Sequence, residues 1–152
     1  SYYIRSRLGV ESKALPYGRE DDIQTILSSL DYTPVCIVID EAQFLSKKNV
    51  EQLSDIVDFM NIPVVCYGLR TDAFGDLFEG SKELFKHADK FEEIKQLCFC
   101  QAKATHVLRY DNDGDVVKNG TQLAIGSEDM YVSVCRKHWK TLNSVTFLIT
   151  ND

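Results

Sequence analysis

Cys98, Cys100, Cys135 and His138 form two close pairs, C-x-C and C-x-x-H, separated by a hairpin-sized stretch. Thiolate and imidazole are the donors zinc takes in a tetrahedral site, and four protein ligands leave no open position. The chemistry would therefore be structural rather than catalytic. Small buried core residues are the simpler reading of any cysteine. That reading suits Cys36 and Cys66, which sit inside apolar runs, and suits Cys98 and Cys100 poorly, because they flank Phe99 and would share one strand face. A C-x-C pair is tighter than the commoner C-x-x-C. The second group is Asp40 and Glu41, which end the apolar run Val35-Cys36-Ile37-Val38-Ile39 and precede Ala42-Gln43-Phe44. Adjacent side chains on a strand project in different directions. One carboxylate can thus approach a metal-bound phosphate while the other accepts a substrate hydroxyl proton. A solvated pair capping the next turn is the other reading of the same two residues.

These groups need elements to hold them. Asp21-Asp22 opens a segment with Ile23, Ile26, Leu27 and Leu30 at helical spacing. Residues 35–39 show no alternation, which predicts a strand covered on both faces, the condition of a parallel sheet. Ser46 is placed to cap a helix whose stripe is Val50, Leu53, Val57 and Met60. Residues 62–67 read as a second buried strand with Pro63 near its start. Strand, helix and strand within this span predict a right-handed βαβ unit. Gly68, Gly75 and Gly80 mark a loop, followed by a helix through Leu84 and Phe85 and a strand near 91–97. Beyond Cys98 the texture changes to short β segments, with a hairpin turn at Asn112-Asp113-Gly114-Asp115 between Val107-Leu108 and Val116-Val117. Asp111 to Asp115 has some calcium-loop character, but its glycine comes two positions early and Gln122 stands where a glutamate is needed.

At 152 residues the chain can bury one good core with a small appended module. A boundary near residue 97 divides it into 1–97, 98–142 and a tail, 143–152. The net charge of -6 argues against a general nucleic-acid surface, which needs clustered Lys and Arg. No run of eighteen apolar residues exists to span a membrane, and the first residues lack the apolar core of a secretory signal. Five cysteines, three of them at metal-like spacing, fit a reducing cytoplasm better than a disulfide framework.

Taken in order, Val38-Ile39-Asp40-Glu41-Ala42-Gln43-Phe44, Tyr67-Gly68-Leu69-Arg70-Thr71-Asp72, Cys98-Phe99-Cys100 and Tyr131-Val132-Ser133-Val134-Cys135-Arg136-Lys137-His138 resemble type II thymidine kinases of the bacterial and bacteriophage branch. The likeness runs from about Arg5 to Leu142. It implies a RecA-like α/β domain of the P-loop NTPase type, joined to a small zinc-bearing β-ribbon or lasso domain. It also implies transfer of the ATP γ-phosphate to the 5′-hydroxyl of thymidine or deoxyuridine with magnesium, and assembly as a homotetramer. Asp40 matches the magnesium-linked aspartate and Glu41 the general base, with Ala42 and Gln43 in the same nucleotide-side motif. Phe44 matches an aromatic residue near the nucleoside. Gln122, Leu123, Ala124, Ile125 and Gly126 match the lasso segment whose backbone reads the thymine edge, and Tyr131 the tyrosine beside it. Backbone groups suit that task because they need no side-chain ordering. Cys98, Cys100, Cys135 and His138 match the family's zinc ligands. Read without the resemblance, Tyr131 is an ordinary packed strand tyrosine.

Two positions depart from the family pattern. No G-x-x-x-x-G-K-[ST] phosphate loop is present. The nearest stretch, Gly75 to Lys82, has serine and lysine reversed, and Asp76 and Glu79 where a phosphate nest needs bare amides. The expectation is thus a kinase whose sequence here starts after the family's first strand, phosphate loop and helix. Relatives stack a phenylalanine that directly follows the Thr-Asp pair. Here that residue is Ala73, so Phe74 stands in for it one position late. The competing functions are a thymidine kinase, a non-catalytic zinc-binding nucleoside or regulatory module, and a general RecA-like ATPase fragment. The last has no place for a lasso and a zinc quartet.

Overall fold

The computed structural model describes residues 2–5, 8–9, 11–122 and 129–149. In chain order the elements are β1 (Tyr2–Arg5), β2 (Glu11–Ala14), α1 (Ile23–Ser28), β3 (Ile37–Ile39), a 3-10 turn (Ala42–Phe44), α2 (Lys47–Met60), β4 (Val64–Cys66), α3 (Glu79–His87), β5 (Gln96–Leu97), β6 (Lys103–Ala104), β7 (His106–Tyr110), β8 (Met130–Val134), α4 (Arg136–Thr141) and a second 3-10 turn (Thr146–Leu148). β1 and β2 form an antiparallel hairpin that the sequence pattern did not announce.

β3 and β4 pair in parallel, Ile37 with Val64, Val38 with Val65 and Ile39 with Cys66. The expected parallel pairing is present, and among the described residues it is covered on one face. Ile39 is buried and Ile37, Val64 and Cys66 pack against the same core, whereas Val38 and Val65 are exposed. An apolar run reports that both faces avoid water somewhere; it does not say which residues of this chain cover them. α2 joins the two strands. Its Ser46 hydroxyl accepts the Asn49 amide while the Asn49 side chain accepts the Ser46 amide, a reciprocal capping box. Asn61 at φ +55 ends it. The buried stripe is Val50, Leu53 and Ile56 rather than a line ending at Met60, which is half exposed. Met60 lies four residues after Ile56 on the same face, but it is the last residue of the helix, where the buried stripe runs out.

This first core joins Ile23, Ile39, Ala42, Leu45, Val50, Leu53, Ile56 and Ile62. α1, capped by the Asp22 carboxylate, packs Ile23 into it. The strand expected at 91–97 shrinks to Gln96–Leu97; Phe91 and Ile94 are exposed and pair with no strand among the described residues. A second cluster collects Cys98, Leu108, Val134, Cys135 and Val145 around the antiparallel β7–β8 pair. The turn at 112–115 is present, with Gly114 at φ +82 and Asp111 accepting the amides of Asp113 and Asp115. β7 takes β8 as its main partner, and the expected partner segment also meets it, through the Val116 bridge to Tyr110 and the Val117 amide donating to the Arg109 carbonyl at 2.8 Å. Residues expected as a tail pack here too: Val145 is fully buried and its amide donates to the Gly114 carbonyl at 2.8 Å. Among the described residues no helix is long and apolar enough to cross a membrane.

Candidate active site and metal centre

The carboxylate pair stands where β3 ends. The Tyr67 amide donates to the Ile39 carbonyl and the Ala42 amide to the Tyr67 carbonyl, so β4 grips the chain on both sides of Asp40 and Glu41. Between these anchors Glu41 adopts φ +52, a left-handed conformation that a residue with a Cβ takes at a cost of about 1–3 kcal/mol. Surrounding contacts must hold it there, and they do. Gln43, buried, donates from Nε2 to Glu41 Oε2 and accepts the Leu69 amide on Oε1 at 3.2 Å. Gly68 lies against this amide, and a Cβ there would fall 2.8 Å from Gln43 Oε1. Asp40 is exposed, and its Oδ1 accepts the Glu41 amide at 2.9 Å. Ala42 is fully buried, so it shapes the turn and offers no side-chain surface to a ligand.

Phe44 follows on the same turn, 38% exposed, with its ring edge-to-face on Phe78 at 5.5 Å. Arg19 donates to the Phe44 carbonyl and pairs with Glu79. Gly80, in the first turn of α3, backs the whole turn: a Cβ there would lie 2.5 Å from the Ala42 carbonyl oxygen and 2.8 Å from those of Gln43 and Leu45.

Asp72 organises the next loop. Buried, it accepts the amides of Phe74 and Asp76 on Oδ1, and the Gln122 side-chain amide on Oδ2 at 2.9 Å. Gln122 thus uses its side chain on the protein itself. Phe74 is half-buried, its ring beside Gly120, and it lines a cavity of about 300 Å³ with Leu108, Val116 and Trp139. Trp139 Nε1 donates to the Ala73 carbonyl at 2.9 Å. Tyr131 is half exposed on β8, opposite Arg109. Leu123, Ala124, Ile125 and Gly126 lie outside the described residues.

The four metal-type residues converge, with their donor atoms all within 4.8 Å of one another. Cys100 Sγ is 3.9 Å from Cys135 Sγ, and His138 Nδ1 is 3.5 Å from Cys98 Sγ and 3.3 Å from Cys135 Sγ. A tetrahedron with zinc–sulfur bonds of about 2.3 Å and a zinc–nitrogen bond of about 2.0 Å has edges of about 3.5–3.8 Å. The donor set fits. Cys98 and Cys100 do not share a strand face, as their spacing suggested; they sit on a turn that Gln101 closes at φ +72, with the Cys98 amide donating to the Ala102 carbonyl. The turn converges both thiols on Cys135, which an extended strand pairs less easily. Burial pushes the Cys98 thiol up, but the amides of Cys100 and Cys135, with His138 and the Cys100 thiol, outweigh it and bring it down to about 6. For Cys100 the Ala102 amide pulls downward, yet desolvation and the thiols of Cys98 and Cys135 win and raise it. Thiolates this close resist ionising together unless a cation lies between them.

Sequence reasoning left Arg109 and Asp129 unassigned. Arg109 is buried and donates from Nε to Asp129 Oδ2 at 2.6 Å. An arginine inside the strand run Val107-Leu108-Arg109-Tyr110 was the available signal.

A carboxylate pair held at the tip of a parallel strand, and a β module whose three cysteines and one histidine are compatible with a structural zinc site, define an α/β protein of a particular kind. Comparison with known proteins narrows this further. The thymidine kinase family model matches residues 2–139. The chain is 49% identical over 139 residues to a thymidine kinase of Pasteurella multocida, covering 90% of this chain and 72% of that one. It is 50% identical over 141 residues to that of Mannheimia succiniciproducens (90% and 71%), and 48% identical over 139 residues to that of Vibrio cholerae (90% and 72%). The chain belongs to the thymidine kinase family.

Proposed function

We propose that this protein transfers the γ-phosphate of ATP to the 5′-hydroxyl of thymidine or deoxyuridine, with Glu41 as the base. The observation that carries the proposal is the placement of Glu41: a strained left-handed residue at a strand tip, its carboxylate steadied by the buried Gln43. Strained residues held by their surroundings cluster at active sites, which supports this reading of Glu41. Family membership favours this reading over a non-catalytic zinc module.

Glu41 accepts the hydroxyl proton as the oxygen attacks phosphorus, and Gln43 keeps the carboxylate from rotating away. Asp40 is the residue that would hold magnesium, which when bound offsets charge on the phosphates. Phe44, Phe74 and Tyr131 are assigned to the nucleoside side, with the segment 122–126 reading the base. The connection from Asp72 to Gln122 supports grouping these residues. Ala42 and Gln43 act as support for Glu41, since both are buried. Cys98, Cys100, Cys135 and His138 would hold zinc, which supplies a structural crosslink. The two hydrophobic clusters support a RecA-like part over 1–97 and a lasso part over 98–142, the latter extended by the packed residues up to 149. A homotetramer in the cytoplasm completes the proposal, and the exposed Phe85, Phe91 and Ile94 offer apolar surface for assembly.

The test is Glu41→Gln in protein supplied with a G-x-x-x-x-G-K-[ST] segment. Loss of a general base lowers kcat about 10²–10⁴-fold, while thymidine affinity changes little. An unchanged rate of thymidine monophosphate formation refutes the assignment.

A further inference from the structure

Arg109 touches two points that are eight residues apart in sequence. Its Nε donates to Asp129 Oδ2 at 2.6 Å, and its Nη1 donates to the Thr121 carbonyl at 3.3 Å. The guanidinium also lies along Gly120, where φ is +144 and a Cβ would sit 3.6 Å from Nη1. Both partners are largely shielded, with 10% of the Arg109 side chain and 18% of the Asp129 side chain exposed. Arg109 pairs directly across the sheet with Tyr131, and Asp129 precedes Tyr131 by two residues, so the ion pair runs diagonally on the face that carries the tyrosine.

The network continues in the other direction. Next to Thr121 is Gln122, whose side-chain amide donates to Asp72, and Asp72 accepts the Phe74 amide. One guanidinium therefore joins the strand bearing Tyr131 to the loop bearing Phe74. Arginine suits the place because its planar fork can meet a carboxylate and a carbonyl at once, whereas a lysine ammonium concentrates on one of them.

We propose that Arg109 is a positioning residue for nucleoside binding: by pinning Thr121 to Asp129 it sets the separation between Gln122 and Tyr131. The inference rests on the proposed assignment of Gln122 and Tyr131 to the nucleoside side. Arg109 acts through these neighbours and takes no part in proton transfer.

The experiment compares wild type, Arg109→Met, Arg109→Lys, Asp129→Asn and the Arg109→Met/Asp129→Asn pair. Thymidine affinity is measured by calorimetry, with zinc content and near-ultraviolet circular dichroism as checks of folding, and thymidine KM and kcat are measured in phosphate-loop-bearing protein. Arg109→Met weakens thymidine binding about ten- to a hundredfold, the scale of one or two charge-assisted hydrogen bonds. Arg109→Lys falls between it and wild type. The double variant is no worse than the poorer single variant, because the two residues act as one unit. KM for thymidine rises while kcat at saturation stays close to wild type, a split that general loss of structure does not produce. A folded, zinc-loaded Arg109→Met protein that binds thymidine as tightly as wild type overturns the inference. If that variant does not fold, normal affinity in Arg109→Lys and Asp129→Asn overturns it instead. Wild-type protein that binds no thymidine removes the nucleoside-side assignment and the inference with it, a result distinct from equal binding by all forms.

Discussion

Replacing Gly80 with alanine sets two effects of opposite sign against each other. Gly80 lies in the first turn of α3, and alanine there gains about 1 kcal/mol of helix propensity. Its Cβ, however, would meet three backbone oxygens, those of Ala42 at 2.5 Å and of Gln43 and Leu45 at 2.8 Å. Ordinary carbon–oxygen contacts are longer by more than half an ångström, so either α3 or the turn must move. The turn cannot retreat cheaply: the Ala42 amide is bound to Tyr67 at 2.8 Å and the Leu45 amide to Ala42 at 3.1 Å. Overpacking of this kind costs about 1–3 kcal/mol, and contact with fixed backbone belongs at the upper end. The net loss is then about 2 kcal/mol, equivalent to a fall in Tm of about 4–8 °C for a chain of this size. Thermal unfolding followed by circular dichroism reads it directly. Gly18→Ala is the control, because its Cβ would meet only the Asp21 carboxylate at 3.5 Å, and its Tm should stay close to wild type. A Gly80→Ala protein that melts at or above the wild-type temperature refutes the reasoning.

Growth in zinc-depleted medium, or Cys98→Ser, should unravel the second cluster while leaving the first core folded, since Cys98 and Cys135 are buried members of the second cluster alone. Metal analysis should give one zinc per chain of wild type, and protein without metal that unfolds in a single unchanged transition contradicts the assignment. Burial first, then the nearby cations Arg70, Arg136 and Lys140, hold the His106 pKa below its ordinary 6.5, and its Nδ1 lies 2.8 Å from the Thr105 hydroxyl. The neutral ring is thus favoured on folding, so its stabilisation is complete above pH 6.5 and is lost as pH falls through that value toward the folded pKa. His106→Gln should flatten that part of the urea-midpoint profile; identical profiles for the two proteins rule the linkage out.

Several features are written locally and could be read directly. The cap at Ser46 needs only Ser46 and Asn49, three residues apart, and both hydrogen bonds form. The turn at 112–115 is set by Asp111 and Gly114, residues whose chemistry favours it in any context. The parallel pairing of 37–39 with 64–66 follows from two apolar runs joined by one amphipathic helix. The metal quartet was legible because ligand type and spacing carry the information without reference to the rest of the fold.

Other features depend on what arrives from far along the chain. Arg109 reads as a surface charge until Asp129 and the Thr121 carbonyl close on it. Gly80 looks like a loop breaker until three carbonyls from residues 42–45 occupy the space of its missing Cβ. Gln43 sits in a nucleotide motif, yet its buried amide ties Glu41 to Leu69 and steadies the residue that adopts the left-handed conformation. Residues 143–149 carry no motif, but Val145 completes the second core. Propensity, capping and ligand spacing act within a few residues and are visible in a linear string. Close approach, buried ion pairs and backbone strain arise between segments separated by tens of residues, and they acquire meaning only once packing has brought those segments together.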